Sequence, residues 1–173
     1  MSGIAGTQAL AAEAARLIVE SGMEYAAAKR KAARTLGRHG GSRTEWPSNE
    51  AVEEQVREYI STFYADSQPQ ELAALREVAA LWMNRLAEFR PHLAGAAWRG
   101  TATRRSALHI DLYCDDPKAA EIALMNLGIS FDTGTDDTNG PRPVDILTLA
   151  SPCAALGEPV TLHLFARDFD DLR

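Results

Sequence analysis

The chain has 173 residues, of which 46% are apolar, and a formal net charge of -6, enough for a sizeable core in one compact domain or a small domain with a helical extension. No apolar run reaches the ~20 residues a membrane-spanning helix needs, and the N-terminus lacks the basic and apolar segments of a secretory leader. A cytoplasmic location without membrane contact is therefore expected.

The charge is unevenly spread. Residues 1–46 carry seven Lys or Arg against four Asp or Glu, whereas residues 107–173 carry four against twelve. This argues against a generally basic nucleic-acid binder and leaves room for a local basic face. Cys114 and Cys153 have no Cys or His neighbour at zinc-ligand spacing, so reduced thiols are expected.

Taken in order, Thr7 is placed to cap a helix over residues 8–20, with Leu10, Ala14, Leu17 and Ile18 on one face. Ser21-Gly22 ends it. A second helix spans Glu24 to Leu36, with Gly37 as the left-handed residue after it. Its alanines allow close helix packing, and its polar side holds Lys29, Arg30, Lys31 and Arg34. Residues 37–47 form a Gly-rich loop that includes His39. Ser48 caps a helix to Tyr64 with Val52, Val56, Tyr59, Ile60 and Phe63 as its buried stripe. Ser67-Gln68-Pro69 opens another that continues to Phe89, with Leu72, Leu75, Val78, Ala79, Trp82, Met83 and Leu86 inward; Pro91 stops it. No internal repeat and no sustained heptad appears, so a packed bundle is expected rather than a coiled coil.

The apolar period then changes from helical to alternating. Leu93 to Trp98 reads as a short strand. Leu108, Ile110, Leu112 and Cys114 alternate with His109, Asp111, Tyr113 and Asp115, as in a half-buried strand. Asp116-Pro117 opens a helix to Leu127, packed through Ala120, Ile122, Ala123, Leu124 and Leu127 and stopped at Gly128. Ile129 to Phe131 reads as a brief strand, residues 132–143 as turns, and Val144 to Leu149 and Val160 to Ala166 as two strands. The Asp-rich tail 168–173 is expected to fray. The sum is an α+β chain: a helical region over residues 1–66, then over 67–173 a small mixed sheet with helices on one face.

Gly100-Thr101, the basic Arg104-Arg105-Ser106 approach and the strand His109-Ile110-Asp111-Leu112 together resemble the nucleotidyltransferase superfamily of the polymerase-β type. That family carries a Gly-Ser or Gly-Thr dipeptide after its first strand, an Asp-x-Asp strand, and a third carboxylate from a later strand. The match spans residues 70–166. The helix Ala-Lys-Arg-Lys-Ala-Ala followed later by Arg-Gly-Thr also resembles short bacterial proteins. The family resemblance implies a nucleotide and a divalent metal, Mg or Mn, as cofactors. It implies phosphate contacts from Gly100, Thr101, Arg104 and Ser106, and a catalytic set of Asp111, Asp145 and His109.

The sequence departs from that pattern where His109 replaces the first Asp, which implies a catalytically degenerate site. His109 and Asp111 lie two apart, so they share a strand face. With His163 they form a possible metal set if their strands are neighbours, and imidazole favours zinc-like over magnesium-like ions. Thr161 and His163 compete with Asp145 for the third position. No Gly-x-x-x-x-Gly-Lys-Ser/Thr is present, so a P-loop is excluded. The alternative is an interaction module in which Lys29, Arg30, Lys31 and Arg34 contact an acidic protein or nucleic-acid phosphates.

Overall fold

Residues 2–38, 44–138 and 140–172 are described by a computed structural model. Residues 39–43 of the Gly-rich loop, with His39, lie outside that set, as do Asn139 and Arg173. The chain divides into two units: residues 1–70 with Thr101–Ser106, and Glu71–Gly100 with Ala107–Arg173. The boundary thus falls a few residues beyond 66, and the segment 101–106 belongs with the helices rather than with the sheet.

The helical unit contains α1 (Ser2–Ser21), α2 (Tyr25–Thr35) and α3 (Asn49–Phe63), with α1 packed on both α2 and α3. Leu10, Ala14, Leu17, Ala28, Ala32, Val52, Val56 and Ile60 are buried together in its core. Small residues on α1 and α2 let the backbones approach, and β-branched residues of α3 fill the remaining space. Ser48 caps α3 as expected, its Oγ accepting from the Ala51 N–H at 3.1 Å. Thr7 does not cap α1. Its hydroxyl donates to the Gly3 carbonyl four residues back, inside a helix that already begins at Ser2. Phe63, expected in the buried stripe, is exposed at the end of α3.

Two hydrogen bonds, one of them to a Glu53 that Tyr25 also engages, explain why 101–106 joins this unit. The Thr101 hydroxyl donates to Glu53 at 3.0 Å, the Gln68 amide donates to the Ala102 carbonyl at 2.9 Å, and Tyr25 also donates to Glu53. Thr101, Ala102 and Thr103 are buried.

The second unit holds a five-stranded mixed sheet in the order β1-β2-β5-β4-β3. Its strands are β1 (His92–Ala94), β2 (Leu108–Cys114), β3 (Asp132–Asp136), β4 (Val144–Ser151) and β5 (Val160–Asp168). β2 and β5 are parallel; every other neighbouring pair is antiparallel. Its helices are α4 (Gln68–Arg85), which belongs to this unit from Glu71 on, α5 (Gly95–Arg99) and α6 (Lys118–Asn126). Leu108, Ile110, Leu112, Leu162, Leu164, Leu147 and Leu149 line the buried face. Trp82 of α4 reaches that face, its indole N–H donating to Ser151 Oγ on β4 at 2.8 Å.

Six local expectations are corrected. Leu93–Trp98 is not one strand: three residues pair with β2, and then Gly95, at φ +69°, turns the chain into α5. Ile129–Phe131 is not a strand, because Gly128 and Ile129 spend their N–H groups closing α6 on Met125 and Leu124. The strand there is instead β3, Asp132–Asp136, an exposed edge whose polar sequence carries no apolar alternation. The tail forms a 3-10 turn over Phe169–Leu172, with the Arg90 guanidinium 4.2 Å from the Phe169 ring centre. The helix predicted to reach Phe89 stops at Arg85 and gives way to a 3-10 turn at Ala87–Phe89. On α6, Ala120 and Leu124 are buried while Ile122 and Leu127 are exposed. Among the described residues no helix is long and apolar enough to cross a membrane.

Candidate functional site

Strand alternation decides which side chains meet. The parallel register pairs His109 with His163, Asp111 with Phe165 and Tyr113 with Arg167. All six lie on the face opposite the leucines, since paired residues of neighbouring strands point the same way. β4 adds Thr148 beside His163 and Ile146 beside Phe165, and β1 adds His92 beside Asp111. The result is a polar and aromatic face built from four strands.

Its contacts are specific. The His109 and His163 rings meet edge to face, with centroids 5.4 Å apart and planes 79° from parallel. Phe165 lies 5.4 Å from His109. Thr148 Oγ1 and His163 Nδ1 share a hydrogen bond of 2.9 Å. Gly95 brings its backbone against the His109 ring; a Cβ there would stand 3.3 Å from the imidazole Cγ. Arg167 Nε donates to Asp111 Oδ1 at 2.8 Å in a largely buried ion pair, and its guanidinium lies 5.7 Å from the Phe165 ring centre. Burial, reinforced by the Asp111 charge, raises the Tyr113 phenol pKa.

A cleft of about 500 Å³ opens at the end of this face, lined by Asp111, Tyr113, Arg142, Asp145, Arg167 and Asp171 among others. Arg167 makes no further hydrogen bond among the described residues, so its terminal nitrogens remain as donors toward the cleft.

The predicted residues separate into three groups. His109, Asp111 and His163 lie on one face, but of these three it is the two histidines whose ring nitrogens come within 4.8 Å, while Asp111 is ion-paired with Arg167. Asp145 lies off that face, since it pairs with Ala166 in the β4–β5 register and sits near the Lys118 ammonium of α6, but it lines the same cleft as Asp111. Of the residues competing for the third position, His163 and not Asp145 lies across from the His109-x-Asp111 strand.

The Gly100-Thr101 turn is put to structural use. Gly100, at φ +88°, terminates α5, and Arg76 caps the same end by donating to the Ala97 and Trp98 carbonyls at 2.9 and 3.3 Å. Thr101 is buried against Glu53, and Ser106 Oγ accepts from the Thr103 N–H at 2.9 Å. Arg104 is exposed. Gly100 belongs to the sheet unit, whereas Thr101, Arg104 and Ser106 belong to the helical one.

Arg167, Phe165, Thr148 and Gly95 were not singled out from the sequence. The alternation His163-x-Phe165-x-Arg167 was a signal that these three share a face. Their partners on β2 and β4 depend on strand order, which the alternation does not carry.

On the basic helix, Arg30, Lys31 and Arg34 are exposed without a salt bridge among the described residues. Lys29 differs: its Nζ donates to Asn49 Oδ1 at 2.7 Å, and burial lowers its pKa.

In comparisons with known proteins, the chain matches no family model, no curated protein and no solved structure.

Proposed function

We propose that the α+β unit is a nucleotidyltransferase-like domain that binds a phosphate or nucleotide without transferring it. The observation that carries this reading is Arg167 at the cleft. Its Nε is held by Asp111, which fixes the guanidinium plane and leaves two terminal nitrogens for an anion. A planar fork of this kind matches phosphate oxygens in paired hydrogen bonds. Arg142 on the same cleft supplies a second cation, and the volume falls within the range of small-molecule sites.

The magnesium or manganese that the family resemblance implies does not fit these residues. Such ions take hard oxygen ligands. Here two of the three facing positions are imidazoles, and the remaining carboxylate is ion-paired with Arg167. No transfer step through a divalent pair is therefore part of the reading. The expected cytoplasmic location belongs with it, as do the free thiols Cys114 and Cys153.

Calorimetric titration of the whole chain with ATP and with inorganic triphosphate, in chelator, tests it. Saturable binding without added metal is expected, weakened about tenfold or more by Arg167→Met, with Asp111→Asn falling between that variant and the native chain. A flat titration, or binding that survives joint replacement of Arg142 and Arg167 by Met, overturns it.

A second reading is favoured by Arg30, Lys31 and Arg34, exposed together on α2. On this reading the helical unit contacts nucleic-acid phosphates or an acidic protein. Association with a short duplex or an acidic peptide would then fall steeply as salt rises and vanish in the triple Gln variant. Binding indifferent to both changes would remove it.

A further inference from the structure

The geometry points to a transition-metal site formed by His109 and His163, taking a borderline ion such as Zn²⁺ rather than Mg²⁺. It concerns a different pair of groups from the phosphate cleft and stands or falls independently of it.

The argument begins with register. Parallel pairing sets His109 directly across from His163 on one face, so the two imidazoles project side by side from adjacent strands. Their ring nitrogens lie within 4.8 Å of one another, near enough for small side-chain rotations to bring both onto one ion. A tetrahedral zinc with nitrogen ligands at about 2.0–2.1 Å needs a nitrogen separation of roughly 3.4 Å, a modest closure of the observed pair.

Each ring is held by a neighbour that leaves a ligating role chemically sensible. Thr148 Oγ1 engages Nδ1 of His163 at 2.9 Å, the kind of outer contact that fixes ring orientation and directs Nε2 to the metal. His109 is set in place by the Gly95 backbone on one side and Phe165 on the other. The flanking Phe165 ring reduces solvent around the pair, which strengthens coordination.

Ligand chemistry sets the preference. Two neutral imidazoles bind zinc, copper or nickel far better than magnesium or calcium, which want carboxylate and carbonyl oxygens. Cys114 and Cys153 do not compete. Cys114 projects to the leucine side of β2, where burial pushes its thiol pKa up to about 11. Cys153 is buried as well. With two protein ligands, one fewer than the three of an open catalytic zinc, the remaining coordination positions would hold water or an exogenous ligand.

The test titrates the whole, chelator-stripped chain with Zn²⁺ in competition with a chromophoric chelator, and with Co²⁺ by absorption spectroscopy. One equivalent of Zn²⁺ is expected to bind, with Mg²⁺ in large excess unable to displace it. The cobalt spectrum should show nitrogen and oxygen coordination with no sulfur charge-transfer band. His109→Gln and His163→Gln should each lower affinity at least tenfold, and Thr148→Val by a smaller factor, because it removes only the orienting contact. Imidazole resonances followed by NMR in the unsubstituted chain guard against a misfolded variant: both His109 and His163 should shift together at one equivalent. Zinc binding unchanged in both Gln variants, a thiolate band with cobalt, displacement by Mg²⁺, or shifts confined to other histidines would each overturn the assignment. Nucleotide titration in chelator is unaffected by that outcome, so the two readings fail separately.

Discussion

Asp111 shows how one neighbour changes the role of a carboxylate. On the strand His-x-Asp the sequence suggests a metal ligand, yet its partner in the fold is Arg167 at 2.8 Å. The pair spends the negative charge on orienting the Arg167 guanidinium. A buried hydrogen bond on the opposite face shows the same dependence on a single partner. Trp82 and Ser151 are each 2% exposed, and the indole N–H donates to Ser151 Oγ. Ser151→Ala leaves that donor buried without an acceptor, which costs about 1–3 kcal/mol. Denaturant unfolding monitored by tryptophan fluorescence should show the midpoint fall accordingly. A loss under a few tenths of a kcal/mol would mean that the indole finds another acceptor.

Among the elements, β1 and α5 illustrate why a short apolar run was misread. Leu93 to Trp98 is apolar throughout, and periodicity alone does not distinguish a strand from a helix at that length. Gly95 decides the matter by adopting φ +69° after three paired residues, which stops the ladder and starts the helix. The same residue packs on His109. Gly95→Ala is therefore expected to lose about 1–2 kcal/mol from the left-handed backbone penalty. It should also move the His109 imidazole resonance, read by NMR beside the unfolding curve. β3 was invisible for the reverse reason. Asp-Thr-Gly-Thr-Asp has no apolar side, and it is a strand only because β4 offers it a hydrogen-bonding edge. Helices were more legible: Ser48, Gly37 and Gly128 act locally, and the ends of α2, α3 and α6 fall within a residue or two of where those signals put them.

For the molecule as a whole, charge pairing makes stability depend on pH in a defined direction. In the helical unit the Arg16 hydrogen bond holds the Glu13 carboxyl below its ordinary 4.5. A depressed acid contributes stability above its unfolded pKa and loses it as pH falls through the folded value. The melting temperature should accordingly drop below pH 4.5, and Glu13→Gln should flatten that acid limb. At the alkaline end the hydrogen bond Tyr59 gives to Glu20 pushes the phenol up to about 12 from 10.0. Its contribution is complete below 10 and disappears as pH rises through 12. Tyr59→Phe should remove that alkaline dependence in a circular-dichroism melt. What the sequence determined by itself is the α+β class, the change from helical to strand period after Pro91, and the sharing of one strand face by His109 and Asp111. These follow from local propensity and periodicity. Only the tertiary structure decided that β5 rather than β4 lies beside β2, so that His163 and Arg167 join that face while Asp145 lies off it. Strand order is set by which buried faces pack and which edges pair, contacts between residues far apart in the chain that no local pattern encodes.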